Sequence, residues 1–224
     1  VLFALVIGCG LYVGDYYRAE DTAFLVPESV SVEQRDDRMV FAPKEAFAGL
    51  IFYPGGKVEF AAYAPLMAKL AEQNVLCVLL KMPLNLAVLD MDAAAEIPEQ
   101  FPDVQHWYLA GHSLGGSMAA AFAAENPDTY DGLILLAAYS TADLRESGLK
   151  VCSFYGDQDG VLNLEKYEQY RSNLPQSTLE QVLEGGNHAD FGCYGPQEGD
   201  GITTLEPGVQ LQWTADTILN FLGN

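Results

Sequence analysis

The clearest fold signal in this chain is the segment Trp107-Tyr108-Leu109-Ala110-Gly111-His112-Ser113-Leu114-Gly115-Gly116. An apolar run that predicts a buried strand leads into Gly111, and small residues typical of a closely packed helix follow Gly116. A serine on such a strand-to-helix turn has a strained backbone, and the flanking glycines leave room for the bend. The Gly-x-Ser-x-Gly pattern also occurs in ordinary turns, but the strand and helix around it favour a nucleophile at Ser113.

Composition limits the classes of protein that this sequence can form. The 224 residues are 50% hydrophobic, which is enough for one substantial core and too little for two comfortable domains. The net charge of -20 repels phosphate backbones, so we expect no binding to nucleic acid. The 4 cysteines form no Cys-x-x-Cys pair and have no histidine at zinc-ligand spacing, so we expect no zinc site.

Residues 1–18 are predicted to form an N-terminal apolar anchor, with residues 19–224 as the catalytic domain. Residues 1–14 are almost wholly apolar and begin without methionine, which indicates a trimmed start. As a helix they reach roughly 21 Å, short of the roughly 30 Å of a bilayer core, so the span needs a few more residues upstream. We expect a single membrane span with an extracytoplasmic domain. A signal peptide, a lipidated Cys9 and a buried helix are the alternatives.

From residue 29 onward, short apolar runs alternate with amphipathic stretches. This alternation predicts an α/β fold, with a mostly parallel twisted sheet of about seven to eight strands and helices on both faces. A short helix is predicted over Asp92–Phe101. Only Tyr139–Leu149 separates two of the later strands, so we expect no inserted cap domain. The glycine-rich segment Glu184–Pro207 is too long for an idle turn and carries further candidates for chemistry.

A serine hydroxyl needs a base to become a nucleophile at neutral pH. His106 precedes a strand and is expected to be exposed, and the side chain of His112 is expected to point away from the nucleophile. His188 follows the last predicted strand, at the sheet edge where Ser113 also lies, and is therefore the expected general base.

The base in turn needs a carboxylate that orients its ring. Asp157 and Asp159 both follow the preceding strand, and Asp159 is favoured because it lies farther into the loop, next to Gly160. Asp157 is the alternative, with a cap or a turn as its other role.

Two backbone N–H groups are expected to stabilise an oxyanion. One belongs to Leu114, and the other to Gly56 or Lys57, in the loop after the earliest central strand. Further residues at this sheet edge either line the substrate pocket or brace the loops by hydrogen bonds. These candidates are Gly55, Lys57, Asn85, Asp190 and Tyr194, with Gln197 and Asp200 in the same loop as the last two.

Four blocks carry a resemblance to a known family: Phe52–Val58, Lys81–Ala87, Gly111–Gly116 and Gly185–Gly192. With these blocks the chain resembles the α/β-hydrolases, and among them the compact, often membrane-anchored bacterial group known as α/β-hydrolase family 5. The resemblance implies the fold and a Ser-His-Asp hydrolase site, but no substrate. The chain also resembles dienelactone hydrolases in its compactness. Those enzymes carry cysteine at the elbow where this chain has Ser113, so their activity is not expected.

Together, the residues and the resemblance predict a serine hydrolase that acts on small-molecule or lipid-derived carboxylic esters through an acyl-enzyme. Ser113, His188 and Asp159 form the expected triad, which requires no cofactor. Two alternatives stay open. One is a non-catalytic scaffold with the same fold, and the other is an acyltransferase or thioesterase that uses the same triad.

Overall fold

An eight-stranded sheet forms the centre of the molecule, which a computed structural model describes over residues 14–24 and 27–223. The strand order is β1-β2-β4-β3-β5-β6-β7-β8. Strand β2 is antiparallel to both neighbours, and all other pairs are parallel. The strands are β1 (Ser31–Gln34), β2 (Arg38–Ala42), β3 (Ala48–Tyr53), β4 (Val75–Leu80), β5 (Trp107–His112), β6 (Gly132–Leu136), β7 (Lys150–Gly156) and β8 (Leu179–Leu183). The predicted sheet is thereby confirmed.

The central strands are apolar along their whole length because both faces of the sheet are covered. Every residue of β3, β4 and β5 is buried. Successive side chains point to opposite faces, so Leu50 and Phe52 belong to one core layer while Ile51 and Tyr53 belong to the other.

Helices cover the two faces unequally. Helices α1 (Ala64–Glu72) and α4 (Val209–Leu222) pack together on the face of Leu50. Helix α2 (Leu114–Glu125) lies on the opposite face, and helix α3 (Leu164–Tyr170) follows β7. The prediction of helices on both faces is confirmed.

The predicted helix over Asp92–Phe101 is wrong. The connection between β4 and β5 is instead a series of short 3-10 turns at Pro83–Asn85, Ala87–Leu89, Met91–Ala94 and Pro98–Gln100. Pro98 has no N–H to donate and clashes with the preceding turn, so a continuous α-helix cannot pass through it. The connection from β6 to β7 spans residues 137–149 and holds no inserted domain, as expected.

The predicted anchor falls mostly on residues 1–13, which lie outside the described residues. Over the ranges 14–24 and 27–223, no helix has the length and apolar character needed to cross a bilayer. The chain just after this segment is bonded to the domain. Tyr17 pairs with Val58, its N–H donating to the carbonyl of Lys57 at 2.8 Å and its carbonyl accepting from Glu59 at 2.8 Å.

Candidate active site

Ser113 lies on the turn that joins β5 to α2, at the carboxyl edge of the sheet. Its backbone has φ 53° and ψ −124°, a conformation that costs energy for a residue with a side chain. The N–H of Ser113 donates to the carbonyl of Leu136 at 2.9 Å, which ties the turn to the neighbouring strand. Ser113 is half-buried, so its hydroxyl is held at the surface of the site by a rigid backbone.

The glycines on either side of the turn permit close backbone contact. A Cβ on Gly111 would lie 2.6 Å from the Gly115 carbonyl carbon, and one on Gly115 would collide with the backbone carbonyls of Tyr53 and Pro54. The first turn of α2 therefore packs directly against the end of β3. This contact brings the start of the helix beside the loop that follows β3.

Asp159 and His188 form a buried pair. His188 Nδ1 lies 2.8 Å from Asp159 Oδ2, and each side chain is 1% exposed. The other carboxylate oxygen accepts from the N–H groups of Val161 at 2.9 Å and Leu162 at 2.7 Å. Because a carboxylate accepts hydrogen bonds, Nδ1 carries the proton and Nε2 keeps its lone pair for a second partner.

Asp157, the alternative acid, makes a different set of hydrogen bonds. Its Oδ1 accepts from the N–H of Gly185 at 2.7 Å and from Gln158 Nε2 at 3.1 Å, and the residue is exposed. The structure therefore brings Asp159, and not Asp157, to His188. Asp157 joins the loop after β7 to the turn after β8.

The elbow contacts His188 through His112, the residue that precedes Ser113. The His112 ring lies 4.4 Å from the His188 ring, measured between centroids. In the described part of the chain, Ser113 Oγ has no hydrogen bond to His188. Such bonds are often long in enzymes without substrate and shorten in the reacting complex.

His112 is itself fully enclosed, at 1% exposure. Burial, and secondarily the nearby His188, holds the pKa of His112 well below its ordinary value, so the ring is neutral. Its Nδ1 lies 2.7 Å from the hydroxyl of Tyr63. Sequence reasoning placed His112 away from the chemistry, whereas the structure packs it between the elbow and the proposed base. His106 lies before β5, exposed and paired with Asp131 at 3.2 Å.

The carboxylate of Asp200 clamps two loops together. Its Oδ1 accepts from the N–H groups of Gly160 and His188, both at 3.1 Å, and its Oδ2 accepts from Ala189 at 2.8 Å. From the sequence, Asp200 was expected either to line the substrate pocket or to brace the loops by hydrogen bonds. These bonds make Asp200 a brace.

A second clamp holds the same histidine loop from α4. Gln210 accepts from the N–H of Asn187 at 3.0 Å and donates to its carbonyl at 2.7 Å. Gln210 is buried, and sequence reasoning did not single it out. Its position in the first turn of the last helix carries no catalytic pattern, so only the fold reveals the contact.

The loop after β3 offers one free amide at the site. The N–H of Gly55 donates to the Tyr63 hydroxyl at 3.1 Å, and that of Lys57 donates to the carbonyl of Asn85 at 2.8 Å. Within residues 14–24 and 27–223, the Gly56 N–H has no hydrogen-bond partner. Of the two sequence-predicted donors, Gly56 and Lys57, only Gly56 is therefore available to a ligand.

Gly56 also lies against Leu114, the other expected donor. A Cβ on Gly56 would approach Leu114 Cδ2 to 2.9 Å. Leu114 begins α2, and the amides in the first turn of a helix have no carbonyl partner within it. The two candidate donors therefore belong to segments in direct contact.

A cavity of about 240 Å³ opens beside Ser113. It is bounded by the elbow, the end of β6 and the loop after β7, and no charged side chain lines it. The lining residues are Ser113, Leu114, Ser117, Ala137, Ala138, Tyr139, Val161, Leu162 and Asn163. Sequence reasoning named only the first two. Ser117 lies in the first turn of α2, and the other six follow the carboxyl ends of β6 and β7, where ligands commonly bind in such sheets.

The sequence-predicted pocket residues lie elsewhere on the rim. Tyr194 is buried, and its hydroxyl donates to Gln197 Oε1 at 3.0 Å. Lys57 pairs through Nζ with Asp15 Oδ2 at 3.0 Å. None of Gly55, Lys57, Asn85, Asp190 and Tyr194 borders the cavity beside Ser113.

Asp190 is half-buried among other acids. Burial, followed by the negative charges of Asp200 and Glu20, raises the pKa of Asp190. In the described residues, no group of three or more His, Cys, Asp or Glu side chains has an arrangement that could hold a metal ion.

The fold is of the α/β-hydrolase class, and it brings a serine elbow, a buried acid–histidine pair and two candidate amide donors to one sheet edge. The sequence profile of the α/β-hydrolase family matches residues 49–212. The chain therefore belongs to the α/β-hydrolase family. No protein of curated function matches it in sequence.

Solved structures share this fold at low identity. TT1662 from Thermus thermophilus has 16% identity and a TM-score of 0.64, over 87% of this chain and 99% of that one. Est1E from Butyrivibrio proteoclasticus has 15% identity and a TM-score of 0.61, over 88% and 100%. The carboxylesterase CesB (YbfK) from Bacillus subtilis has 12% identity and a TM-score of 0.62, over 90% and 93%.

Proposed function

We propose that this protein is a serine hydrolase that cleaves carboxylic esters through an acyl-enzyme. The observation that carries the proposal is the 2.8 Å bond between Asp159 and His188, buried beside the strained turn of Ser113. A buried carboxylate on Nδ1 fixes the tautomer that leaves Nε2 basic, and it stabilises the imidazolium that forms during turnover. The names of the carboxylesterase CesB and of Est1E agree with this chemistry.

The reaction divides into two steps. Ser113 Oγ attacks the ester carbonyl while His188 takes its proton, and the oxyanion is stabilised by the N–H groups of Leu114 and Gly56. The intermediate collapses as His188 returns the proton to the departing alcohol, which leaves the acyl group on Ser113. Water then attacks the acyl-enzyme with His188 again as base, and the carboxylic acid departs. Each oxyanion donor is worth about 100- to 1,000-fold in rate.

The cavity beside Ser113 supports a neutral acyl group of modest size. Its lining has no charge to pair with a carboxylate or an ammonium on the substrate, and its volume is about 240 Å³. Burial of acyl methylene groups against the alanine, valine and leucine side chains of the cavity is favourable by about 0.8 kcal/mol per methylene. We therefore propose small neutral esters, including those derived from lipids, as substrates.

Hydrolysis of p-nitrophenyl acetate, butyrate and octanoate tests the proposal. Ser113→Ala is expected to lower kcat about a million-fold, because it removes the nucleophile around which the other groups act. The circular dichroism spectrum and the melting temperature of the variant should stay close to those of the parent. A variant that is folded and still hydrolyses these esters at the parental rate would overturn the proposal.

We also propose that residues 1–18 attach the domain to a membrane. Support comes from their apolar composition and from Tyr17, which is bonded beside the loop of Gly56 and so holds the catalytic edge near the attachment point. Fractionation of cells that express the chain with and without residues 1–13 tests this. Equal recovery of both forms in the membrane-free fraction would contradict it.

A further inference from the structure

A buried chain of hydrogen bonds links the loop after β3 to the elbow. We propose that Tyr63 and His112 are positioning residues, which hold this loop so that the Gly56 amide faces the developing oxyanion. The inference rests on the proposed ester hydrolase function, and it assigns a task to two side chains that do not touch substrate.

The direction of each hydrogen bond follows from its partners. The N–H of Gly55 lies 3.1 Å from the Tyr63 hydroxyl oxygen and can only donate to it. The hydroxyl hydrogen of Tyr63 is then free to donate to His112 Nδ1, 2.7 Å away. Burial raises the pKa of Tyr63 and lowers that of His112, so the tyrosine keeps its proton and the histidine stays neutral. Gly55, Tyr63 and His112 therefore form one continuous chain.

The shape of the loop depends on this chain. A Cβ on Gly55 would lie 2.7 Å from the Tyr63 hydroxyl and 2.9 Å from His112 Nδ1, so glycine alone allows this approach. On the other side of Gly56, the Lys57 amide is bound by the Asn85 carbonyl. The hydrogen bonds of the Gly55 and Lys57 N–H groups thus fix the backbone on both sides of Gly56. The N–H of Gly56 itself remains available to a ligand.

The second nitrogen of His112 lies on the side of the proposed base. Because Tyr63 donates to Nδ1, the proton of the neutral ring lies on Nε2. This atom faces the backbone of His188 but reaches hydrogen-bond geometry with no partner in the described residues. A neutral His112 also avoids placing a second positive charge 4.4 Å from the His188 ring during turnover.

Tyr63→Phe tests the tyrosine, because it removes one oxygen and little else. We expect kcat to fall about 10- to 100-fold with KM within about twofold, since a displaced oxyanion donor acts mainly on the transition state. Tyr130→Phe is the matched control. Tyr130 is also buried, and its hydroxyl donates to the Ala94 carbonyl at 3.2 Å, away from Ser113. A Tyr63→Phe enzyme with unchanged kcat, or an equal loss in Tyr130→Phe, would overturn the inference.

A pair of isosteric variants tests the histidine. His112→Asn keeps an acceptor near the position of Nδ1, whereas His112→Leu has the same shape without one. We expect kcat of the Asn variant to exceed that of the Leu variant about tenfold. The double variant Tyr63→Phe with His112→Leu should be no slower than the slower single variant, because both changes break the same chain. Equal Asn and Leu variants, or losses that multiply, would refute the inference.

The failure of this inference is distinguishable from that of the proposed function. If Ser113→Ala abolishes ester hydrolysis while Tyr63→Phe leaves kcat unchanged, the enzyme assignment stands and the positioning role is wrong. If Ser113→Ala keeps full activity, the proposed function itself is wrong.

Discussion

The backbone N–H of His188 donates a 3.1 Å hydrogen bond to the carboxylate of Asp200. The same oxygen accepts from Gly160, the neighbour of Asp159, so one carboxylate fixes the loop of the proposed acid against the loop of the proposed base. The alignment of the two loops therefore depends on a residue outside the proposed triad.

Replacing Asp200 by Asn should impair both stability and turnover. An asparagine side chain has only one acceptor oxygen in place of two. Either the N–H of Ala189 or the N–H groups of Gly160 and His188 therefore lose their acceptor, at a cost of about 1 to 3 kcal/mol. The melting temperature should fall by several degrees, and kcat by about 10- to 100-fold through misplacement of His188. Glu198→Gln removes one charge from the same loop and serves as the control. Parental kcat in Asp200→Asn would rule out the clamp.

The two acids after β7 should differ sharply. Asp159→Asn is expected to lower kcat about 10,000-fold by presenting the wrong donor to His188. Asp157→Asn keeps a carbonyl oxygen for the Gly185 amide and should leave kcat within about threefold. Steady-state kinetics on p-nitrophenyl butyrate compares them. Similar losses in both variants would contradict the assignment of Asp159.

Asp190 should weaken the fold as pH rises. Its pKa is raised in the folded protein by burial and then by Asp200 and Glu20, so the folded state binds the proton more tightly than the unfolded one. Stability is therefore lost as pH increases from the ordinary aspartate pKa of about 3.9 through the raised value. Asp190→Asn should raise the melting temperature at pH 7, and the difference should shrink toward about pH 4. A lower melting temperature at pH 7 would show that the carboxylate stabilises the fold.

The cavity beside Ser113 should set the preferred acyl length. Leu162 lines it, and Leu162→Ala removes side-chain volume that limits the bound chain. The ratio of kcat/KM for octanoate over butyrate esters should rise about tenfold, since each added methylene that becomes buried contributes about 0.8 kcal/mol. Leu164→Ala, at a half-exposed position outside the lining, is the control. An unchanged ratio in Leu162→Ala would place the acyl group elsewhere.

Features that depend on residues close together in the sequence could be predicted from it. The serine elbow and the strands are encoded by glycine spacing and by runs of apolar residues, so both could be predicted. The β4–β5 connection was misread because an apparently helical pattern contains Pro98, and the backbone constraint outweighs the pattern.

Contacts between segments far apart in the sequence could not be predicted in this way. The preference for Gly56 over Lys57 depends on the Asn85 carbonyl, and the chain through Tyr63 and His112 joins residues 49 positions apart. Those relations arise only when the sheet assembles. The glycine at position 55 was the one local signal, because it indicates that other groups pack closely against the backbone there. The sequence does not show which groups these are.

Reaction with a fluorophosphonate probes the nucleophile Ser113 and its proposed base His188 in one experiment. Ser113 Oγ should displace fluoride from phosphorus and remain covalently phosphonylated, a product that peptide mass spectrometry locates. We expect one adduct per chain on Ser113, none in Ser113→Ala, and labelling at least about 100-fold slower in His188→Ala, which lacks the base. A wild-type protein that forms no adduct, or one labelled equally fast without His188, would contradict this expectation.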